Sequence, residues 1–360
     1  STSHKTTSVK IKLTPSGPDR KNRLTIYPIV RSRFFHQPTS DPIYISIKNT
    51  LISLLNSRHS DLPTDSIRVD VADGEYTRRN SPAALAAPVA LMLEASLNNT
   101  PLRPDVHFCA LIDDKGKLSS PQNIWQSLQI YRSRTSGGRL IVSADAYELL
   151  SQQLVYGDPG YFTRWEVVSA NTLDQALTLA IENDKGPMSE ASQKFESIRT
   201  AAEKTSITQL AVNNKVRSRL AHILKLAPNH LSAKMLLLQG SGKRPMRFNQ
   251  QALALVLLPT VKKMHHFLKN EVDAEYLRPF AFKKIHDQLR AEIDPLLQKR
   301  LLDSSYNPLY LDVLNQVKEL RGIEKAIIRT NRGDYDYSAK TKVRRRFFDL
   351  QRKSTTLLEK

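Results

Sequence analysis

Strand signals run through the first half of this chain and stop near Ser189, after which the spacing of apolar residues is helical to the end. This change of period divides the molecule more firmly than any motif, because a two-residue repeat and a 3.6-residue repeat bury their apolar faces in different ways. Before the change, "SIRVDVADGEY" puts Ile67, Val69 and Val71 on one face and stops at Asp73-Gly74, as a half-buried strand ending in a turn does. "DVHFCALID", "GGRLIVSA" and "RWEVVSA" read as three further strands, and "RLTIYPIVRSRFF" as one with Pro28 at an edge or bulge. Helices fall between them: Ile47, Leu51, Leu54 and Leu55 in "DPIYISIKNTLISLLNSR", then Ala83 to Leu97, "SPQNIWQSLQIYRSR", "DAYELLSQQL", and "TLDQALTLAI" capped by Thr172. The run from Ala83 to Leu97 is apolar nearly all round, so it belongs inside a domain.

Past Ser189, "SRLAHILKLAPNHLSAKMLLLQG" reads as two helices joined at Ala227-Pro228 and stopped by Gly240, a hairpin of tetratricopeptide type. One such hairpin makes no array, so a connector packed on its neighbours is expected. Three longer helical stretches follow, ending in "KTKVRRRFFDLQRK", which together suit a small bundle. The expected organisation is a flexible basic leader over 1–23, an α/β domain over 24–186, the hairpin over 187–242 and an all-α bundle with a basic tail over 243–360.

Composition narrows the function. The net charge of +19 is unevenly held: residues 1–40 carry an excess of +7, 41–240 of +1 and 241–360 of +11. Contact with a polyanion therefore belongs to the two ends. Arg344, Arg345 and Arg346, beside Phe347 and Phe348, join positive charge to stacking surface and are the residues for such contact, with Lys10, Lys12, Arg20, Lys21 and Arg23 as a second cluster. The single cysteine, Cys109, sits in an apolar run as a packed small side chain, which excludes disulfides and a cysteine-based metal site. No apolar run is long enough to cross a bilayer. The first residue is Ser and no leader with a hydrophobic core is visible, which leaves the compartment open: the cytoplasm, or export with a targeting segment removed.

Three apparent motifs carry no chemistry. "GSGKRP" lacks the first Gly of a phosphate loop and has Arg244 where a magnesium-holding hydroxyl is required. His265 and His266 are adjacent, so a helix points them apart. Asp113 and Asp114 beside Lys115 form a strand-end turn.

The order of elements from Ile67 to about Ala180, with "PLRPDVHFCALIDDKGKL", "GGRLIVSA" and "VVSANTLDQAL", resembles the proteolytic domain of Lon proteases over somewhat more than a third of the chain. The resemblance implies a serine nucleophile deprotonated by a lysine whose own pKa is lowered by burial or nearby charge. In the gapless register Pro82 falls at the serine position, with Asn80 and Ser81 before it; anchored on the following helix, Asn80 falls there. Ser127 falls at the base position, and Arg132 is the nearest cation along that helix. Arginine stays protonated and cannot serve as the base. Ser81 then reads as the cap of the helix, with Pro82 as its first residue. The expectation is a degenerate Lon-like domain, without cofactor or metal, that binds a protein partner or itself. Two alternatives stay open: a Lon-type serine endopeptidase with a rearranged pair of Ser81 and Lys115 or Lys117, and a nucleic-acid binder through the basic ends.

Overall fold

A computed structural model describes the backbone of residues 10–18, 25–30, 42–59, 65–72, 83–122, 124–133, 137–156, 159–182, 185–270, 277–298, 308–332 and 337–359. Side chains are described within these ranges from residue 49 onward, except at 65–84, 297–298, 332 and 359. The chain divides into two compact units, Ser1–Arg244 and Pro245–Lys360. The first is α/β and the second is helical.

The α/β unit holds two three-stranded sheets. One is ordered β1-β3-β2 from Lys10–Pro18 (β1), Thr25–Val30 (β2) and Asp65–Ala72 (β3), with β1 antiparallel and β2 parallel to β3. Pro28 therefore lies on an edge strand of this sheet, where a residue without an N–H is tolerated. The strand Lys10–Pro18 lies inside the stretch expected to be a flexible leader. Its pairing explains the difference: partners from Lys10↔Ala72 to Pro15↔Ile67 supply backbone bonds that its composition cannot reveal.

The other sheet is parallel and ordered β4-β7-β8, from Val106–Cys109 (β4), Gly138–Ser143 (β7) and Trp165–Ala170 (β8). Between β4 and β7, Leu111–Ile112 (β5) and Leu118–Ser119 (β6) form a small antiparallel hairpin. The run "DVHFCALID", expected as one strand, is thus broken at Ala110. Val106 to Cys109 pair with β7 while Leu111 and Ile112 pair with β6, so the chain changes sheets within one apolar stretch. Apolarity marks burial and cannot mark the partner. The two glycines at the start of β7 each have their own reason: a Cβ on Gly137, just before it, would lie 2.2 Å from the Arg164 carbonyl oxygen, and one on Gly138, its first residue, would lie 2.4 Å from that of Asp105.

Helices pack around these sheets. Pro42–Arg58 (α1) buries Leu51, Leu54 and Leu55, and Ala83–Leu97 (α2) buries eight of its apolar side chains, as its all-round apolar sequence requires. Ile124–Ser133 (α3), Tyr147–Gln152 (α4), Tyr161–Arg164 (α5) and Leu173–Ala180 (α6) follow, with Thr172 Oγ1 accepting from the Gln175 amide to cap α6. Then come Pro187–Lys204 (α7), Ile207–Val212 (α8), Asn214–Leu226 (α9) and Leu231–Gly240 (α10).

The α9–α10 pair closes the exposed side of β8. Ser232 Oγ accepts from the Val167 amide at 2.8 Å and donates to the Trp165 carbonyl at 2.6 Å. The Ser169 amide donates to the Asn229 carbonyl, and Asn229 Nδ2 donates back to the Ser169 carbonyl. An edge strand would otherwise offer these groups to another chain.

The helical unit consists of Gln250–Asn270 (α11), Pro279–Gln298 (α12), Pro308–Arg332 (α13) and Tyr337–Glu359 (α14). Phe282, Leu289, Ile293, Val313, Val317, Leu320, Ile323 and Phe347 are fully buried in its core. Phe282 meets Phe267 and Phe347 edge to face, with ring centroids 5.0 and 6.1 Å apart.

Candidate functional site

Asn80, Ser81 and Pro82 lie outside the described residues, as does the expected cap that Ser81 would make on α2. The other half of the expected site is described. Ser127 is on α3, on the face that also buries Ile124, Trp125, Leu128 and Tyr131. Its hydroxyl is hydrogen-bonded to the Cys109 thiol at the end of β4. Burial pushes that thiol up to about 11, with Ser127 pulling weakly the other way. That thiol is therefore protonated, and neither accepts a proton strongly nor attacks.

Lys115 and Lys117 are exposed in the β5–β6 turn, where both backbone amides donate to Asp113 Oδ1. Gly116 takes φ 78° there, a left-handed turn residue. Arg132 lies 4.4 Å from the centroid of the Tyr156 ring and donates to the Gln153 carbonyl, so its charge is held by packing.

Cys109 provides a direct check. With its pKa near 11, only about one thiol in a thousand is ionised at pH 8. The folded protein should resist iodoacetamide at that pH, and urea should expose one reactive thiol. Fast modification of folded protein would place Cys109 at the surface.

Two charged clusters in the α/β unit have no counterpart among the motifs of the sequence. In the first, Glu94 of α2, 1% exposed, accepts from Arg58 Nε at 2.6 Å and lies 2.9 Å from His59 Nε2. Arg58 also bonds Asp174 of α6, and this bond holds the Asp174 carboxyl below its ordinary range. The group ties α1, α2 and α6 together.

In the second, Arg139 and Glu166 are register partners on β7 and β8, with Arg139 Nε 2.9 Å from Glu166 Oε2. Arg139 also donates to the Leu179 carbonyl and to Ser192 Oγ. His230 is fully buried; its Nδ1 accepts from the Ala233 amide, so its ring proton sits on Nε2, 3.4 Å from Glu166 Oε1. Burial alone would raise the Glu166 carboxyl, but His230 and the Arg139 guanidinium outweigh it and hold it far below the ordinary range. The sequence signal was a lone Arg and a lone Glu in neighbouring strands that are otherwise apolar.

A cavity of about 240 Å³ opens beside this cluster, lined by Arg103, Arg139, Glu166, Ser192, Glu196 and Arg199 among others. Its cations already have partners. Arg103 bonds both oxygens of Asp105, and Arg199 bonds the Thr163 and Arg164 carbonyls and Glu196. This arrangement braces α7 against the sheet.

In the helical unit the three consecutive arginines are not one cluster. Arg344 is half-buried, Arg345 exposed, and Arg346 pairs with Glu319 of α13 at 2.7 Å, which raises its pKa. Phe347 is in the core, while Phe348 is 52% exposed. Successive residues on a helix point about 100° apart, so adjacency in sequence spreads these groups around α14.

His265 and His266 are likewise split. His265 approaches Ser354 Oγ at 3.3 Å and His266 meets Asn270. Among the described residues no group of three or more His, Cys, Asp or Glu could hold a metal ion, and no described helix is long and apolar enough to cross a membrane. In "GSGKRP", Gly240 ends α10 where a Cβ would lie 1.8 Å from the Ala211 carbonyl oxygen, and Arg244 donates to the Leu154 carbonyl. These residues pack the α/β unit. The chain matches no family model and no curated protein sequence.

Proposed function

We propose that the chain is a Lon-protease-like protein without peptidase chemistry, whose α/β unit works as a scaffold for a protein partner or a second copy of itself. The carrying observation is Ser127, at the position of the family's lysine base, bonded to the buried thiol of Cys109. The family's chemistry needs at that position an amine able to take the nucleophile's proton, and a serine hydroxyl bonded to a protonated thiol is not one. The order of β3, α2, β4, the β5–β6 hairpin, α3, β7, β8 and α6 supports the family reading.

The test is hydrolysis of casein with and without ATP, alongside labelling by a serine-directed fluorophosphonate. The expected result is no turnover, no label, and no change in the Ser81→Ala variant. Turnover or labelling that disappears in Ser81→Ala would establish the rearranged endopeptidase instead, with Lys115→Met and Lys117→Met identifying its base. Light scattering, together with capture of a partner that dissociates from a surface-charge variant of the α/β unit, tests the scaffold role.

A further inference from the structure

The sequence grouped Arg344, Arg345 and Arg346 with both phenylalanines, but the helix sorts its residues differently. Val343, Phe347, Leu350, Ser354 and Leu357 form the buried line of α14. Opposite that line, Tyr337, Thr341, Arg345, Phe348 and Arg352 follow one another at steps of three or four residues, and all five are exposed. Tyr337 is 75% and Phe348 52% exposed, two of the few large apolar side chains presented to water among the described residues.

We propose that this stripe of α14 binds single-stranded nucleic acid, with Tyr337 and Phe348 stacking on bases and Arg345 and Arg352 contacting phosphates. The rings are eleven residues apart and so stand three turns, about 16 Å, along the same side of the helix. Arg345 and Arg352 are two turns apart on that side. Exposed aromatic rings gain nothing from water, whereas an unstacked base offers them a flat partner. A duplex keeps its base faces stacked inside and would use only the cations.

Charge selects the side of the helix. The groove between α14 and α13 is lined by Asp312, Glu319 and Asp349 together with Arg346, Arg352 and Lys353, so that flank is balanced in sign, its Arg346 is already paired, and Arg352 stands where it borders the stripe. Arg352 is paired at that border with Asp349, 3.3 Å away and exposed enough to exchange for a phosphate. Arg345 has no ion pair among the described residues.

The experiment is fluorescence anisotropy of the full chain with fluorescein-labelled oligo(dT), its duplex with oligo(dA), and inorganic polyphosphate as competitor, across a salt series. Oligo(dT) should bind more tightly than the duplex. Removing either ring, Tyr337→Ala or Phe348→Ala, should weaken it by about tenfold. Arg345→Ala with Arg352→Ala should lower the salt slope by about 1.4, since each phosphate of a single strand left without its cation takes away about 0.7. All four side chains are exposed, so thermal unfolding should not move. Absence of binding at low salt overturns the proposal. So does oligo(dT) affinity unchanged by both ring removals, or duplex or polyphosphate binding as tight as that of oligo(dT), which would mark plain attraction to polyanions.

Discussion

Arg139→Leu is expected to destabilise the α/β unit by about 3–5 kcal/mol, the usual cost of removing one member of a buried ion pair. The loss comes mainly from what remains. Glu166 would keep its burial and lose the guanidinium 2.9 Å away, while the Leu179 carbonyl and Ser192 hydroxyl would lose their donor. Urea unfolding followed by tryptophan fluorescence isolates this unit, because both tryptophans of the chain, Trp125 and Trp165, lie in it.

The effect depends on pH in a defined direction. Glu166 is held below its ordinary value of 4.5, so its contribution is complete above that pH and is lost as pH falls toward the folded value. The gap between wild type and Arg139→Leu should therefore be widest near neutrality and should narrow below about pH 4.5. A variant within about 1 kcal/mol of wild type at pH 7 would mean that the pair is solvated.

Trp165→Ala should cost a similar about 3–5 kcal/mol, for a different reason. Trp165 is fully buried at the start of β8, its ring centroid 4.8 Å from that of His107 on β4 and 5.0 Å from that of Tyr131 on α3. Its Nε1 donates to the Tyr131 carbonyl at 2.8 Å. Truncation opens a cavity among three elements and leaves that carbonyl without its donor. Trp165→Phe keeps most of the packing and loses the hydrogen bond, so its midpoint should fall between wild type and Ala. Trp125 remains as the reporter in both. Equal midpoints for Phe and Ala would locate the whole effect in the hydrogen bond.

Both predictions concern residues that stand in no motif of the sequence, and the reason is physical. Arg139 and Glu166 are 27 positions apart and meet because β7 and β8 pair in a register set by long-range packing. His230 joins them from the α9–α10 hairpin. Opposite charges within apolar strands were visible, but nothing local says which strands are neighbours. Ser127 shows the converse. Its position on a helix was legible from the spacing of "SPQNIWQSLQIYRSR", whereas its thiol partner came from another element.

Elements whose cause is local could be read along the chain. The all-apolar run became α2 over Ala83–Leu97, Thr172 caps α6, and strands give way to helices in the second half of the chain. Folding in three dimensions settled the rest: the strand made from the basic leader, the change of sheet at Ala110, the cover that Ser232 and Asn229 give to β8, and which arginines of α14 face water. Hydrophobic period and capping act over a few residues, so a short stretch carries their whole cause. Strand pairing, buried ion pairs and exposure depend on groups far apart in sequence, and those meet only once the chain has folded.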